Sequence, residues 1–459
     1  MKRILIALAV VVVGGIVAIV TLVSYVSRDI PEPDVADLAV DRPELPPAEN
    51  AYTYFISATN AFYWPTNSAV VTDYLDGETV DTEALATVLM KNAEAMTLIR
   101  RGIQCQKCVT PEVTGFDTLL PYLSPWRNMG RILAAKTRHD RLAGRYSEAT
   151  ETCISHLRFA DLIQRDAECI INYLVGIAVL DLGLAQARDL ARDPGMSSPE
   201  LRRLSDTLSA LGPFAPGLIR AIKVEYKVVA STIDDLGKGN FSMDDLSSLS
   251  GSDPPSLLKG KRIPGYFFQP NRTKLTFANL YRDMITNARL SYAEMNLYDV
   301  EDVLGLGEDK LKLLTRPNAL GKILYAMLIP ALDSLLERKC RAECGVAATH
   351  LLATLHTYEN DNQAFPKTAD RLVPDYLNTI PIDPYDGKQF RHDHSKGIVY
   401  SVGQDLKDSG GSSKLLSGNE SDSPRRKRWN AEDIVYPIRK EIEPVAAPLP
   451  SEGAPSEGR

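Results

Sequence analysis

The side chains with most chemical capacity here are cysteines, histidines and carboxylates at short spacing. Cys105 and Cys108 form a C-x-x-C, a spacing that suits a local disulfide, a redox couple or half of a zinc site. A redox pair expects a βαβ setting, whereas the surroundings pattern as helix and loop. Zinc needs two more ligands, for which Cys340 and Cys344 are the candidates, and plain thiols are the remaining alternative. If Cys340 and Cys344 lie one turn apart in a helix, their Cβ atoms sit about 5–6 Å apart, too far for an unstrained bridge. His392 and His394 would share one strand face, as metal ligands or as an exposed hairpin end. An acidic, Gly-rich turn runs from Val402 to Gly411. No G-x-S-x-G, P-loop or G-x-G-x-x-G is present, so no nucleophile or phosphate cradle is flagged by motif.

The elements that position these groups follow from composition and periodicity. The chain has 459 residues, 44% apolar and 24% charged, with net charge −7. That fits a folded protein of roughly two to four domains and lends a nucleic-acid role no global electrostatic support. Six cysteines are too few for a disulfide scaffold at this length. Ile4 to Val26 carries no charge and is long enough to cross a hydrocarbon core of about 30 Å. Residues 1–28 are expected to be a cytoplasmic stub and an uncleaved transmembrane anchor, with the bulk of the chain outside the cytoplasm. Residues 29–50 are rich in Pro and acid, a linker expected to hold the body off the membrane.

Residues 51–338 pattern as a helical body. Asp81 is the expected N-cap of one helix. Ala149, Cys153, Leu157, Ala160 and Ile163 fall on one helical face, and the Gly144 turn splits this stretch into a hairpin. Cys169 to Ala187 is apolar all round, but Asn172 and Asp181 make it a buried core helix rather than a second span. Ser197-Ser-Pro-Glu200 is a helix start. Residues 237–269 read as a long loose loop, and Asn271-Arg-Thr273 is a glycosylation sequon by pattern. Helices are expected at 274–304, 309–314 and 318–337. Arg425 to Arg428 is the one dense basic run, either a solvated loop or a contact for an acidic partner or anionic lipid. Residues 441–459 read as a disordered tail.

Residues 339–440 hold the most recognisable pattern. Cys344, Ala347, Ala348, Leu351, Leu355 and Tyr358 make a helical stripe. Then come Phe365-Pro366, Leu372-Val-Pro-Asp-Tyr-Leu377, Pro381-Ile-Asp-Pro-Tyr-Asp-Gly387, Phe390-Arg391 and Tyr400-Ser-Val-Gly-Gln-Asp405, with strands expected at 389–392 and 397–402. This order resembles the globular domain of the major pseudopilin of type II secretion. More closely, it resembles a family of uncharacterised bacterial membrane-anchored proteins that pair such a domain with a helical body; Tyr173-Leu-Val-Gly-Ile-Ala178 and Phe268-Gln-Pro-Asn271 are similar to segments of that family.

The resemblance implies calcium bound in the loop after the Tyr-Ser strand, a hard cation suited to oxygen ligands. Carried over, the ligands would be the Val402 carbonyl, Asp405, Asp408 and Asp433. The chain departs from the pattern in three places: Leu406 stands where Gly is usual, Ser409 where a further acid is common, and an insert of residues 412–430 divides the loop. The alternative is an acidic turn held by its own hydrogen bonds. The expected fold is mostly α: a transmembrane helix, a multi-helix body and a small C-terminal α+β unit of one helix and a short antiparallel sheet. The expected function is a non-catalytic protein of the bacterial inner membrane that meets the bilayer through residues 4–26. It would contact protein partners, in a secretion or pilus-like assembly, and no small-molecule substrate is identified. The alternative is an extracytoplasmic hydrolase or thiol-redox enzyme with its site in the body.

Overall fold

The computed structural model describes residues 13–18, 20–21, 24, 28–115, 118–238, 268–296, 318–416 and 428–439. Most of the apolar run, most of the 237–269 loop, residues 297–304 of the helix expected at 274–304, the helix expected at 309–314, the middle of the insert and the tail lie outside them; within them the 274–304 helix ends at Asn287.

The body is a helical bundle. Its N-terminal layer is α1 (Ala51–Ala61), α2 (Ala69–Asp76), α3 (Thr82–Lys91) and α4 (Ala93–Gly102). Asp81 caps α3, accepting the N–H of Glu83 and of Ala84. The central layer is α5 (Leu123–Leu142), α6 (Tyr146–Arg165) and α7 (Ile170–Ala191), which pack on one another. α5 and α6 are the expected hairpin, turned at Gly144 with φ 71°. α7 is the one helix among the described residues long and apolar enough to cross a membrane, yet 61% of its apolar window is buried. Leu180, Leu184 and Leu190 on α7 are enclosed, each burial stabilising by about 1.5–3 kcal/mol. Close approach sets the packing: a Cβ on Gly176 would lie 2.6 Å from the Gln164 backbone nitrogen, and one on Gly217 would lie 2.2 Å from the Gln164 carbonyl. Three helices therefore converge where α6 ends.

The outer layer is α8 (Ser198–Ser209), α9 (Ala215–Gly237), α10 (Pro270–Asn287) and α11 (Ala319–Asn362). α8 starts with the Ser197–Glu200 capping box. α11 is one continuous helix of 44 residues, so the boundary expected near 338 falls inside it. The reason lies in its two apolar stripes. Leu335, Ala342, Val346 and Ala353 join the core of the body. Cys340, Cys344, Ala348, Leu351 and Leu355 join a second core with the sheet. At about 100° per residue, the two sets are centred on opposite sides of the helix. The C-terminal unit therefore shares its helix with the body.

That unit completes itself with three antiparallel strands in the order β1 (Arg391–Asp393), β2 (Ile398–Ser401), β3 (Ile434–Pro437). Sequence reading anticipated β1 and β2. β3 is an addition, pairing Val399 with Tyr436 and Ser401 with Ile434. The ends of the insert zip together ahead of it: Leu416 donates to the Asn430 carbonyl and Glu432 to that of Lys414.

The 29–50 segment differs from expectation. It is a strap laid on the body. Asp29 accepts the N–H of Asn271 at 2.6 Å and of Arg272 at 3.0 Å, filling the cap of α10, whose first residue is Pro270. Glu32 meets Lys274 at 3.1 Å and Asp37 meets Arg282 at 2.6 Å, while Leu38 is buried. The acids that suggested a solvated spacer are spent on a helix N-terminus and two cations. The sequon residue Asn271 donates its amide to the Ile30 carbonyl at 2.9 Å.

His156 on α6 is fully enclosed, and burial pushes its imidazole down to about 4. The unfolded chain takes up this proton near pH 6.5 while the folded chain does not. The stabilisation is present above that pH and is lost as pH falls toward 4, by about 3 kcal/mol in total. His156→Gln should flatten the fall in unfolding free energy between pH 7 and 4, measured by urea titration at several pH values. An unchanged slope would refute the assignment.

Candidate functional site

The acidic loop after β2 is built around one arginine. Arg391, on β1, donates from Nη1 to Asp383 at 3.0 Å and from Nε to Asp408 at 3.0 Å, and its Nη2 meets Asp386 at 2.5 Å. Asp383 is wholly buried. Its oxygens also accept Tyr385 N–H at 3.0 Å, the Ser401 hydroxyl at 2.8 Å and Val402 N–H at 3.1 Å. Burial pushes the Asp383 carboxyl up against these bonds. At Asp386, burial also pushes up and is the largest single influence, but the Arg391 hydrogen bond, the Lys388 N–H and the charges of Arg391 and Lys388 together outweigh it and the carboxyl stays low. The guanidinium thus joins the turn before β1, the end of β2 and the loop beyond it.

The four residues carried over as calcium ligands sit around this arrangement but do not assemble as a ligand set. Asp433 is buried and accepts backbone N–H from Gly411 at 2.8 Å, Ser412 at 3.0 Å and Ser409 at 3.4 Å. Those are donors, where a cation requires oxygen acceptors. Asp408 accepts Gly410 N–H, the Tyr400 hydroxyl and Arg391. Asp405 accepts only the Lys407 N–H, at 3.0 Å. Val402 is buried, with its N–H on Asp383. No three His, Cys, Asp or Glu side chains gather as a metal set among the described residues. Of the four, Arg391 meets Asp408 alone, where its guanidinium supplies the positive charge beside that carboxylate. Leu406 keeps the left-handed backbone that its position requires, at φ 60°.

The other candidates separate. Cys105 is half-buried and Cys108 buried, both as free thiols. Cys105 Sγ lies 3.8 Å from the Ala48 carbonyl, and Cys108 N–H donates to Asp166 at 2.8 Å. Their loop is braced by Asn50, which exchanges hydrogen bonds with Val109. Cys340 and Cys344 belong to the C-terminal core, whereas Cys108 belongs to that of the body, so the four do not meet. His392 and His394 stand with ring centres 6.2 Å apart, and His394 Nδ1 is 3.1 Å from the Pro366 carbonyl.

Sequence reasoning missed a groove of about 790 Å³ on the outer side of the sheet. Ile398, Leu415, Val435 and Ile438 give it an apolar floor, and Lys396 and Arg439 stand at its rim. Arg439 reaches Glu359 and stacks 5.2 Å from the Phe365 ring. Asp433, the acid within the lining, has its oxygens taken by backbone N–H groups. The signal for the groove was split between two distant segments, and only β3 pairing brings them together.

Three outcomes test this arrangement. Arg391→Gln leaves Asp383 buried without its counter-charge and should cost about 3–5 kcal/mol, while calcium and chelator should give superimposable melting curves for the wild type and for Asp405→Ala. A calcium-dependent rise in wild-type melting temperature, abolished in Asp405→Ala, would restore the ligand reading. Leu406→Gly should stabilise by about 0.5–1 kcal/mol, because an L-residue is strained at this φ and the lost side chain is exposed; denaturant unfolding checks it, and a destabilisation would contradict it.

No family model, curated protein or solved structure matches this chain. The pseudopilin resemblance of the C-terminal unit stands on its sequence motifs.

Proposed function

We propose that this is a non-catalytic, membrane-anchored envelope protein that presents its C-terminal unit to a protein partner, in a secretion or pilus-like assembly. The carrying observation is the strap. The described residues of the 4–26 run are helical, and Val13, Ile16, Val17 and Val20 are each more than half exposed, a surface suited to lipid. Asp29 is clamped to the α10 N-terminus only three residues beyond Val26, about 10 Å of chain. The body is thereby held close to the bilayer.

α10 and α11 run side by side away from the clamp, with Phe277 against Tyr325 at 5.6 Å and Lys339 donating to the Leu290 carbonyl at 3.3 Å. The C-terminal unit meets the far end of α10, where Tyr292 and Ala293 donate to the Pro384 and Tyr385 carbonyls. The groove fits an acidic protein segment, since its rim is cationic and its one acid is already saturated.

A second reading, a hydrolase with its site in the body, draws on Glu225. It lies in the apolar stripe of α9 between Ala221 and Val228, and burial pushes its carboxyl up to about 7, in the range of general acid–base work. The thiol-redox form has less support, because burial pushes both Cys105 and Cys108 up, the reverse of an activated nucleophile.

A photo-crosslinking amino acid at Lys396 in the full chain, in cell membranes, should yield one protein adduct whose crosslinked peptide is acidic. The same group at Met90, exposed on the body, should not. Equal adducts at both sites, or none at Lys396 with the chain present in the membrane fraction, would overturn the reading. Recovery of the chain in the soluble fraction would overturn the anchor.

A further inference from the structure

Three guanidiniums gather beside the groove, and among the described residues none of them is in ion-pair contact with a carboxylate. Arg188 and Arg192 are successive turns at the C-terminal end of α7, and Arg428 precedes β3. Arg188 lies 5.6 Å and Arg428 4.9 Å from the centre of the same ring, that of Tyr436. Tyr436 is fully buried on β3. Arg192 donates from Nε to the carbonyl of the next residue, Pro437, at 2.9 Å. Its Nη2 is buried with no hydrogen-bond partner among the described residues. Among the described residues, Arg188 Nη1 donates to the neutral Thr349 hydroxyl alone, at 3.1 Å. Other arginines of the chain, such as Arg141, Arg220 and Arg391, reach acids at 3.0 Å or less, whereas none of these three makes an ion pair among the described residues.

Like charges gathered in a poorly solvated place repel, and a buried donor without an acceptor is costly. Consistent with that, burial pushes the Arg188 guanidinium down to about 10, with Arg428 adding to the effect, and Arg192 likewise, with Arg188 adding; the more distant Asp181 and Asp189 offset only part of this. One anion would relieve both penalties. Guanidinium groups pair with oxyanions through parallel N–H bonds. Arg428 and Pro437 also line the groove, so the cluster adjoins an apolar trough that could hold the rest of a ligand.

We propose that Arg188, Arg192 and Arg428 form a binding site for a single oxyanion, a phosphate or carboxylate group, where the end of α7 meets β3. The inference rests on the unpaired guanidiniums and stands apart from the membrane reading.

The test is thermal melting of the full chain in detergent with sodium phosphate, or with sodium glutarate, each against sodium chloride at matched ionic strength. A ligand that binds only the folded state raises the melting temperature with its concentration. At least one of the two anions should produce a saturable rise beyond that in chloride. Arg192→Gln should abolish it, and Arg192→Lys should keep part of it. Because phosphate also stabilises proteins by exclusion, the difference between wild type and Arg192→Gln is the readout. If Arg192→Gln does not fold, Arg188→Gln replaces it, with the anion measured by titration calorimetry. Superimposable curves in all three salts for the wild type, or an equal rise in wild type and the glutamine variant, would overturn the proposal.

Discussion

The burial of α11 on two opposite sides is the constraint on which the rest of the structure depends. One stripe of that helix closes the body and the other closes the sheet. A helix apolar on both sides is unstable in water unless both are covered, so the two cores must form together. Polar contacts fix the alignment. Ser205 meets Thr354 at 3.1 Å, Asp361 receives Ser198 and Arg202, and Arg192 reaches the β3 carbonyl of Pro437. The small sheet is thus held in a set direction relative to the bundle.

Within the C-terminal unit, charge does what a bound cation would do elsewhere. A three-stranded sheet has little core of its own, and its connecting loops need an organiser. Arg391 supplies it from inside the chain, drawing Asp383, Asp386 and Asp408 to one point. The organiser is covalently part of β1. The backbone N–H groups around Asp433 complete the same logic on the β3 side.

The strap applies this principle at the other end of the molecule. A carboxylate at a helix N-terminus is favoured by unpaired N–H groups and by the helix dipole. Asp29 uses that preference to join the segment leaving the apolar run to the body. Arg282 and Lys274 then hold the acids that follow. Strap, α10 and α11 form one continuous path to the sheet.

Local pattern was enough for much of this. Helical periodicity placed α5 and α6. The Asp81 and Ser197 caps were legible because a capping side chain acts on its own next turn. The core status of α7 followed from Asn172 and Asp181, which lipid would penalise. What required the tertiary structure were interactions between residues far apart in sequence. The continuity of α11 was hidden because two opposed stripes cancel in any reading for a single apolar face. β3 was hidden because a four-residue strand acquires its identity from its partner. Asp383 and Arg391 stood inside quoted motifs, but their joint role appeared only when β1 brought the guanidinium to a buried carboxylate. The strap resembled a spacer because Pro and acid signal solvation unless cations and a helix N-terminus lie within reach. Sequence by itself determined which segments are helical and which are apolar; only the folded chain decided which charges meet, since electrostatic partners are set by distance in space.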